Sequence, residues 1–285
     1  MNAGFKTEAG ADEVRAAYRA LLTEWPVPSE QLRIPTHLGE TFIVACGPTD
    51  ASALVAIHGA QANTAAYMVD AALWSQHFRV YAIDVPGEAG LSPDVRPPLD
   101  DDTHASWLDD VMDGLGIERA SVVGTSLGGW LALDYAVRRP QRVERLGLIC
   151  PAGIGKQKNF LLKALPLLLL GPWGMNRMRG MIFGPRPAVV TPFLQRFGAL
   201  MELIGRHIRI RNVKIPRLTD AQLAALPPAI VIIGGKDALI DSFDTKARLE
   251  ACCPQAKIVF LPEGYHYMPG QAETVLRFLR VAQPA

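Results

Sequence analysis

The chain has 285 residues, 49% of them apolar, enough to bury a substantial core in one large domain or in one domain carrying an insertion, which excludes a disordered chain. Lys and Arg total 29 against 28 Asp and Glu, a formal balance of +1, so nothing in the overall charge points to nucleic acid as a partner.

The first ten residues, MNAGFKTEAG, lack the apolar run of a secretory signal, and no later segment approaches the roughly 18 unbroken apolar residues of a membrane span. A cytoplasmic protein without stable membrane insertion is expected. Val14, Tyr18, Leu21 and Leu22 fall at helical spacing within 11–24 and predict an amphipathic helix that Trp25-Pro26-Val27-Pro28 ends. Short strands are expected at 32–37 and 41–46, and Ala53 to Ile57 is apolar throughout, as a strand covered on both faces would be. Strands then alternate with helices: strand 79–83, helix 104–115, strand 119–124, helix 127–138, strand 145–150. That alternation predicts right-handed crossovers and a mostly parallel sheet with helices on both faces.

The rhythm breaks between Gly153 and Asp220, a stretch rich in Leu, Met, Arg, Gly and Pro that reads as an inserted helical cap. Its leucines at 161–170 are interrupted by Lys163 and Pro166 and are too few to span a bilayer, so a cap helix lining an apolar pocket is expected there. Met175, Met178 and Met181 would add an adaptable apolar wall. Arg177 and Arg179 read as solvated, with contact to a substrate carboxylate as the alternative. Strand 229–233, helix 243–251, strand 257–261 and helix 271–281 follow. The expected organisation is a core over 1–152 with its N-terminal helix, a cap over 153–220 and the rest of the core over 221–285. Cys46, Cys150, Cys252 and Cys253 show no metal-type spacing, and neighbours rarely bridge one another, so they read as reduced thiols.

The most specific signal is Gly124-Thr125-Ser126-Leu127-Gly128, a G-x-S-x-G match where a strand gives way to a helix. In such a turn the serine hydroxyl projects at the carboxyl edge of the sheet, where open α/β folds bind ligands. The following helix aims its free amides at any anion forming there, that of Leu127 among them. A serine hydroxyl needs a base. His266 lies in the loop after the last strand, at the same sheet edge, whereas His37, His58, His77, His104 and His207 fall near predicted edges, at a strand end or in the cap. The base in turn needs a buried carboxylate. Asp237 follows the apolar strand AIVIIGG and completes the chain order Ser, Asp, His; Asp241 competes for the role, and Asp84 is a more distant candidate. The second donor for a negatively charged oxygen is assigned to the amide of Ala60, with Gly59 permitting close approach and His58 bracing the loop.

On these pieces the chain resembles the α/β-hydrolase superfamily over nearly its whole length: IHGA at 57–60, IDVPGEAGLS at 83–92, GLGIERASVVGTSLGGWLAL at 114–133, IIGGKDALI at 232–240 and GYHYMPGQ at 264–271. The N-terminal helix and the HGAQANTAAY stretch are similar to capped bacterial carboxylesterases. The resemblance implies an α/β-hydrolase fold with a mostly parallel eight-stranded sheet. It also implies Ser126 as nucleophile, Asp237 as acid, His266 as base, and the amides of Ala60 and Leu127 as an oxyanion hole. Asp84 and the loop from Pro86 to Gly90 match a structural feature of the family. One departure stands out: family members often carry Gly directly before the histidine, where this chain has Tyr265.

The expected activity is cleavage of small to medium apolar carboxylic esters through an acyl-enzyme on Ser126, with no metal or organic cofactor. The same residues would serve a lactonase, a thioesterase, an amidase or a carbon-carbon bond hydrolase, and a small-molecule receptor on this fold is the rival from another class.

Overall fold

Residues 4–160, 165–167, 169–185, 190–211 and 213–280 are described by a computed structural model. Eight strands form one sheet: β1 (Ser29–Thr36), β2 (Gly39–Cys46), β3 (Ala53–Ile57), β4 (Arg79–Ile83), β5 (Ala120–Thr125), β6 (Val143–Ile149), β7 (Ala229–Gly234) and β8 (Lys257–Leu261). Their spatial order is β1-β2-β4-β3-β5-β6-β7-β8. The β1/β2 and β2/β4 pairs are antiparallel and every later pair is parallel. The helices are α1 (Glu8–Leu22), α2 (Met68–Trp74), α3 (Thr103–Gly114), α4 (Leu127–Arg138), α5 (Gly171–Phe183), α6 (Pro192–His207), α7 (Asp220–Ala224), α8 (Ser242–Cys252) and α9 (Ala272–Leu279).

The central strands are apolar on both faces because both faces are covered. On one side α3 and α4 bury Trp107, Leu108, Val111, Trp130 and Leu133 against Val55, Val122 and Leu148; on the other, α2 and α9 bury Trp74, Val275 and Leu276 against Leu54, Ala56 and Ile230. The chain leaves β3 toward β4 on one side, while β5 lies on the other. The carboxyl ends of β3 and β5 therefore flank a switch point, where such sheets bind ligands.

The order of predicted strands and helices holds, with ends displaced by a few residues. β1 begins at Ser29, before its apolar positions, because Ser29, Glu30 and Gln31 pair with Cys46, Ala45 and Val44 of β2. Helix α2 and the 3-10 turn Thr64–Tyr67 before it were not expected. With seven residues, α2 is too short to display a helical period, and tertiary burial of Met68, Ala71 and Trp74 holds it in place.

Within 153–220, α5 and α6 carry the helical character, while both flanks tie into the core. The amide of Leu218 donates to the Gly153 carbonyl at 2.9 Å and that of Lys158 to Leu239 at 2.8 Å. The Trp130 indole donates to the Pro216 carbonyl at 2.9 Å. Helix α6 rests on α1, with Leu200 and Ile204 packed among Val14, Tyr18 and Leu21; His207 Nε2 lies 2.9 Å from Glu13 Oε2. The expectation of a leucine-lined pocket at 161–170 needs correcting where that segment is described. Leu165, Leu169 and Leu170 are 63%, 87% and 53% exposed, since α5 meets the core through its far end instead; residues 161–164 and 168 lie outside the described part. Met178 and Met181 are half-buried, and the Met175 side chain lies outside the described part.

Candidate active site

Ser126 occupies the turn between β5 and α4 with φ 54° and ψ −112°, a left-handed backbone that costs a side-chain-bearing residue about 1–3 kcal/mol. The turn is held on both sides: the Ser126 amide donates to the Ile149 carbonyl, and the Ser126 carbonyl accepts from Trp130 and Ala152. Glycine is required at both ends. A β-carbon on Gly128 would lie 2.0 Å from the Ile57 carbonyl oxygen, and one on Gly124 would lie 2.3 Å from that of Gly128.

His266, in the loop after β8, places Nε2 2.9 Å from Ser126 Oγ and Nδ1 2.8 Å from Asp237 Oδ2. Asp237 is 2% exposed, and its Oδ1 accepts the amides of Leu239 at 2.7 Å and Ile240 at 2.9 Å. Burial pushes this carboxyl up, but the hydrogen bond and charge of His266 and the two amides outweigh it, so Asp237 titrates below the ordinary carboxylate range. Lys158 donates to the Asp237 carbonyl at 2.6 Å and ties the start of the cap to this loop. Asp241 instead caps α8, accepting the amides of Phe243 and Asp244, so its carboxylate is engaged on its own helix.

Cys150 closes the back of the site. Its Sγ lies 3.8 Å from the Tyr265 carbonyl, and burial, reinforced by the charge of Asp237, raises its thiol well above the usual value. The candidate ligand atoms of Cys150, Asp237 and His266 lie within 4.8 Å of one another, the spacing of a metal group. The His266 and Asp237 atoms are committed to each other, however, and the thiol is held protonated, a poor donor set.

The loop after β3 lies against Ser126: a β-carbon on Gly59 would come 3.4 Å from Ser126 Cβ. Buried His58 spans this loop, with Nδ1 2.8 Å from the Gly59 oxygen and Nε2 accepting the Val85 amide at 3.0 Å. Because C=O and N–H point oppositely in a trans peptide, holding the Gly59 oxygen aims the Ala60 N–H away from His58. The Leu127 amide opens α4 and has no partner within the helix. Asp84 lies apart from the serine and the histidine at 266. It accepts Tyr18 Oη at 3.0 Å, the Thr64 amide and hydroxyl at 2.8 Å each, and the Leu91 amide at 2.8 Å, stitching α1 and two loops together.

The remaining histidines are placed elsewhere: His37 bonds Asp110, His77 is exposed, His207 pairs with Glu13, and His104 is buried between Trp107 and Trp130. Arg179 pairs with Glu202 at 2.7 Å and Arg177 is exposed. Tyr265 fits before His266 without a left-handed backbone, a conformation limited among described non-glycine residues to Gln61, Ser126 and Cys150. Its ring packs on Gly184 at the end of α5, where a β-carbon would lie 2.7 Å from the ring. On the other side of His266, Tyr267 donates its amide to the Ile182 carbonyl at 3.2 Å and its ring meets Phe183 at 5.6 Å. The far end of α5 therefore covers the histidine loop. Sequence reading missed Lys158 and the buried Glu88, whose carboxylate accepts the Gln61 amide at 2.8 Å; neither belongs to a local motif that marks it.

Comparison with known proteins agrees with this architecture. Residues 54–278 match the model of the Alpha/beta hydrolase family. Carboxylesterase YbfK of Bacillus subtilis is 39% identical over 136 residues, 48% of this chain and 46% of that protein, so the aligned stretch spans about half its length. The crystal structure of carboxylesterase CesB (YbfK) superimposes with a TM-score of 0.82 at 28% identity, covering 95% of this chain and 99% of that one. The structure of naproxen esterase from Bacillus subtilis gives the same TM-score at 25% identity, covering 96% and 100%. The 2-hydroxymuconate semialdehyde hydrolase of Pseudomonas putida is 40% identical over 231 residues, 73% of this chain and 77% of that protein. With its eight-stranded sheet, its serine turn and a family match over most of its length, the chain belongs to the α/β-hydrolase family.

Proposed function

We propose that the protein is a serine hydrolase that cleaves carboxylic esters through an acyl-enzyme on Ser126. The observation that carries this reading is the unbroken series from Ser126 Oγ through His266 to Asp237, with links of 2.9 and 2.8 Å. Ser126 Oγ attacks the ester carbonyl while His266 Nε2 takes its proton. Asp237 holds the opposite nitrogen as the N–H tautomer and stabilises the cation that forms. The amides of Ala60 and Leu127 receive the negative oxygen of the tetrahedral intermediate. His266 returns the proton to the departing alcohol; water, deprotonated by the same histidine, then releases the acid and restores Ser126. The similarity to the carboxylesterase YbfK and to naproxen esterase favours esters, and the ring contact of Phe183 with Tyr267, the residue after His266, favours apolar acyl or alcohol groups.

Carbon-carbon bond hydrolysis by the same residues is the second reading, favoured by the 40% identity to 2-hydroxymuconate semialdehyde hydrolase. Turnover of a nitrophenyl ester series of increasing acyl length, by wild type and Ser126→Ala in parallel, tests the proposal. Ester turnover that falls at least about a thousandfold in the variant is expected. Retained turnover in Ser126→Ala overturns the nucleophile. Cleavage of 2-hydroxymuconate semialdehyde with no ester turnover would move the assignment to the second reading.

A further inference from the structure

The Ala60 amide can stabilise an oxyanion only if the peptides on both sides of it are held. The Gly59–Ala60 peptide is held through its oxygen by His58. The next one, Ala60–Gln61, is held through its N–H, which donates to Glu88 Oε2 at 2.8 Å. Gln61 has φ 54°, and such strain in a residue with a β-carbon persists only where its surroundings enforce it.

Glu88 is well placed to do so. It lies in the loop after β4, its side chain is 0% exposed, and two arginines surround it. Arg211 Nε donates to Oε1 at 3.1 Å, and Arg96 Nη2 stands 3.7 Å from Oε2. Arg96 also donates to the carbonyls of Gly87 at 2.8 Å and Arg209 at 2.9 Å. Arg209 and Arg211 follow α6, on the segment by which the chain returns from the cap. One carboxylate thus grips the loop after β3 with one oxygen and the returning cap segment with the other. Burying a carboxylate and two guanidinium groups is no efficient route to stability, because well-packed apolar side chains do as well. A directed acceptor for the Gln61 amide is something apolar residues cannot supply.

We propose that Glu88 is a positioning residue for the oxyanion hole: it fixes the Gln61 amide and with it the Ala60 amide, and Arg211 makes that grip depend on the seating of the cap. The inference rests on the Ser126 reading above. It is tested in the full-length chain by Glu88→Ala and Glu88→Gln. The readouts are kcat per titratable serine, KM for a nitrophenyl ester, the inhibition constant of an alkyl boronic acid that forms a tetrahedral adduct on serine, and the melting temperature.

Loss of one oxyanion donor costs about 100- to 1000-fold in kcat, so a donor displaced but not deleted should cost about tenfold or more. Glu88→Ala is expected to lose that factor in kcat and in boronate affinity together, with KM within about twofold. Glu88→Gln, which keeps an acceptor oxygen for Gln61, should recover part of both. A folded Glu88→Ala with wild-type kcat and boronate affinity overturns the proposal, as does a loss of activity that follows the titratable fraction alone. Should Glu88→Ala fail to fold, the double variant Glu88→Leu/Arg211→Met removes the carboxylate with the guanidinium hydrogen-bonded to it, while Arg96 keeps the Gly87 and Arg209 carbonyls; the same expectation and the same overturning result apply to it. Inactive Ser126→Ala beside fully active Glu88 variants would sink this inference alone, whereas active Ser126→Ala would sink the reading beneath it.

Discussion

At the scale of single residues, the site turns on a carboxylate both of whose oxygens are engaged. Two backbone amides fix one oxygen of Asp237, which leaves the other aligned on His266 and the histidine with a single useful tautomer. Asp237→Asn keeps the shape but presents an amide to Nδ1, and kcat is expected to drop by about 1000- to 10,000-fold with little change in melting temperature. Asp241→Ala makes the complementary test. Its carboxylate accepts two amides at the start of α8, so its loss should cost about 1 kcal/mol in urea unfolding and leave kcat nearly untouched. The reverse pattern would transfer the role to Asp241. Sequence alone left these two open because both follow the same strand within a few residues, and only the turn after β7 decides which side chain enters the site. Ser126 was legible from its G-x-S-x-G turn, and His266 from its place in the loop after the last strand. Glu88 was not, since its partners Gln61, Arg96 and Arg211 come from three separate segments.

At the scale of elements, the serine turn is built by the close approach of α4 to β3. The carbonyls of Ile57 and His58 would stand 2.0 and 2.5 Å from a β-carbon at position 128, and both are backbone atoms that cannot swing aside. Gly128→Ala should therefore push the start of α4 off the sheet, lowering unfolding free energy by about 1–3 kcal/mol. Because Leu127 and Ser126 move with it, kcat should fall as well. A melting temperature and kcat both equal to wild type would show that α4 has room the packing does not provide. The strands and helices around this turn were readable in order because buried parallel strands and amphipathic helices carry strong patterns. Helix α2 and the real course of the cap were not. The first is shorter than the window in which a helical period shows, and the leucines of the second face outward at 165, 169 and 170, against the usual meaning of an apolar run.

At the scale of the whole molecule, a formal charge of +1 at pH 7 keeps general repulsion small until the carboxylates protonate, so in mildly acid solution individual buried groups set the first change in stability. His104 at the start of α3 is 3% exposed, with the rings of Trp107 and Trp130 each 6.5 Å away and neither ring nitrogen hydrogen-bonded among the described residues. Burial, helped by the charge of Arg211, lowers it to about 4. Since the unfolded chain takes up this proton near pH 6.5 and the folded one only near 4, the His104 contribution is complete above about 6.5 and is lost as pH falls toward 4. The loss is about 3 kcal/mol at about 1.36 kcal/mol per pH unit. Asp70, raised to about 6 by burial, acts with the opposite sign: the folded state binds the extra proton between about 3.8 and 6, so stability rises as pH falls through that range. Asp237 matters only lower, because a depressed carboxyl keeps its full contribution above the unfolded value near 3.9. The wild-type profile mixes these terms, and comparison with His104→Phe separates them. The stability difference between wild type and His104→Phe, from urea unfolding at intervals from pH 7.5 to 4.5, should move by about 2 kcal/mol or more in favour of the variant as pH falls. A difference that stays constant across that range would mean that His104 is already protonated, or freely reached by water, in the folded protein.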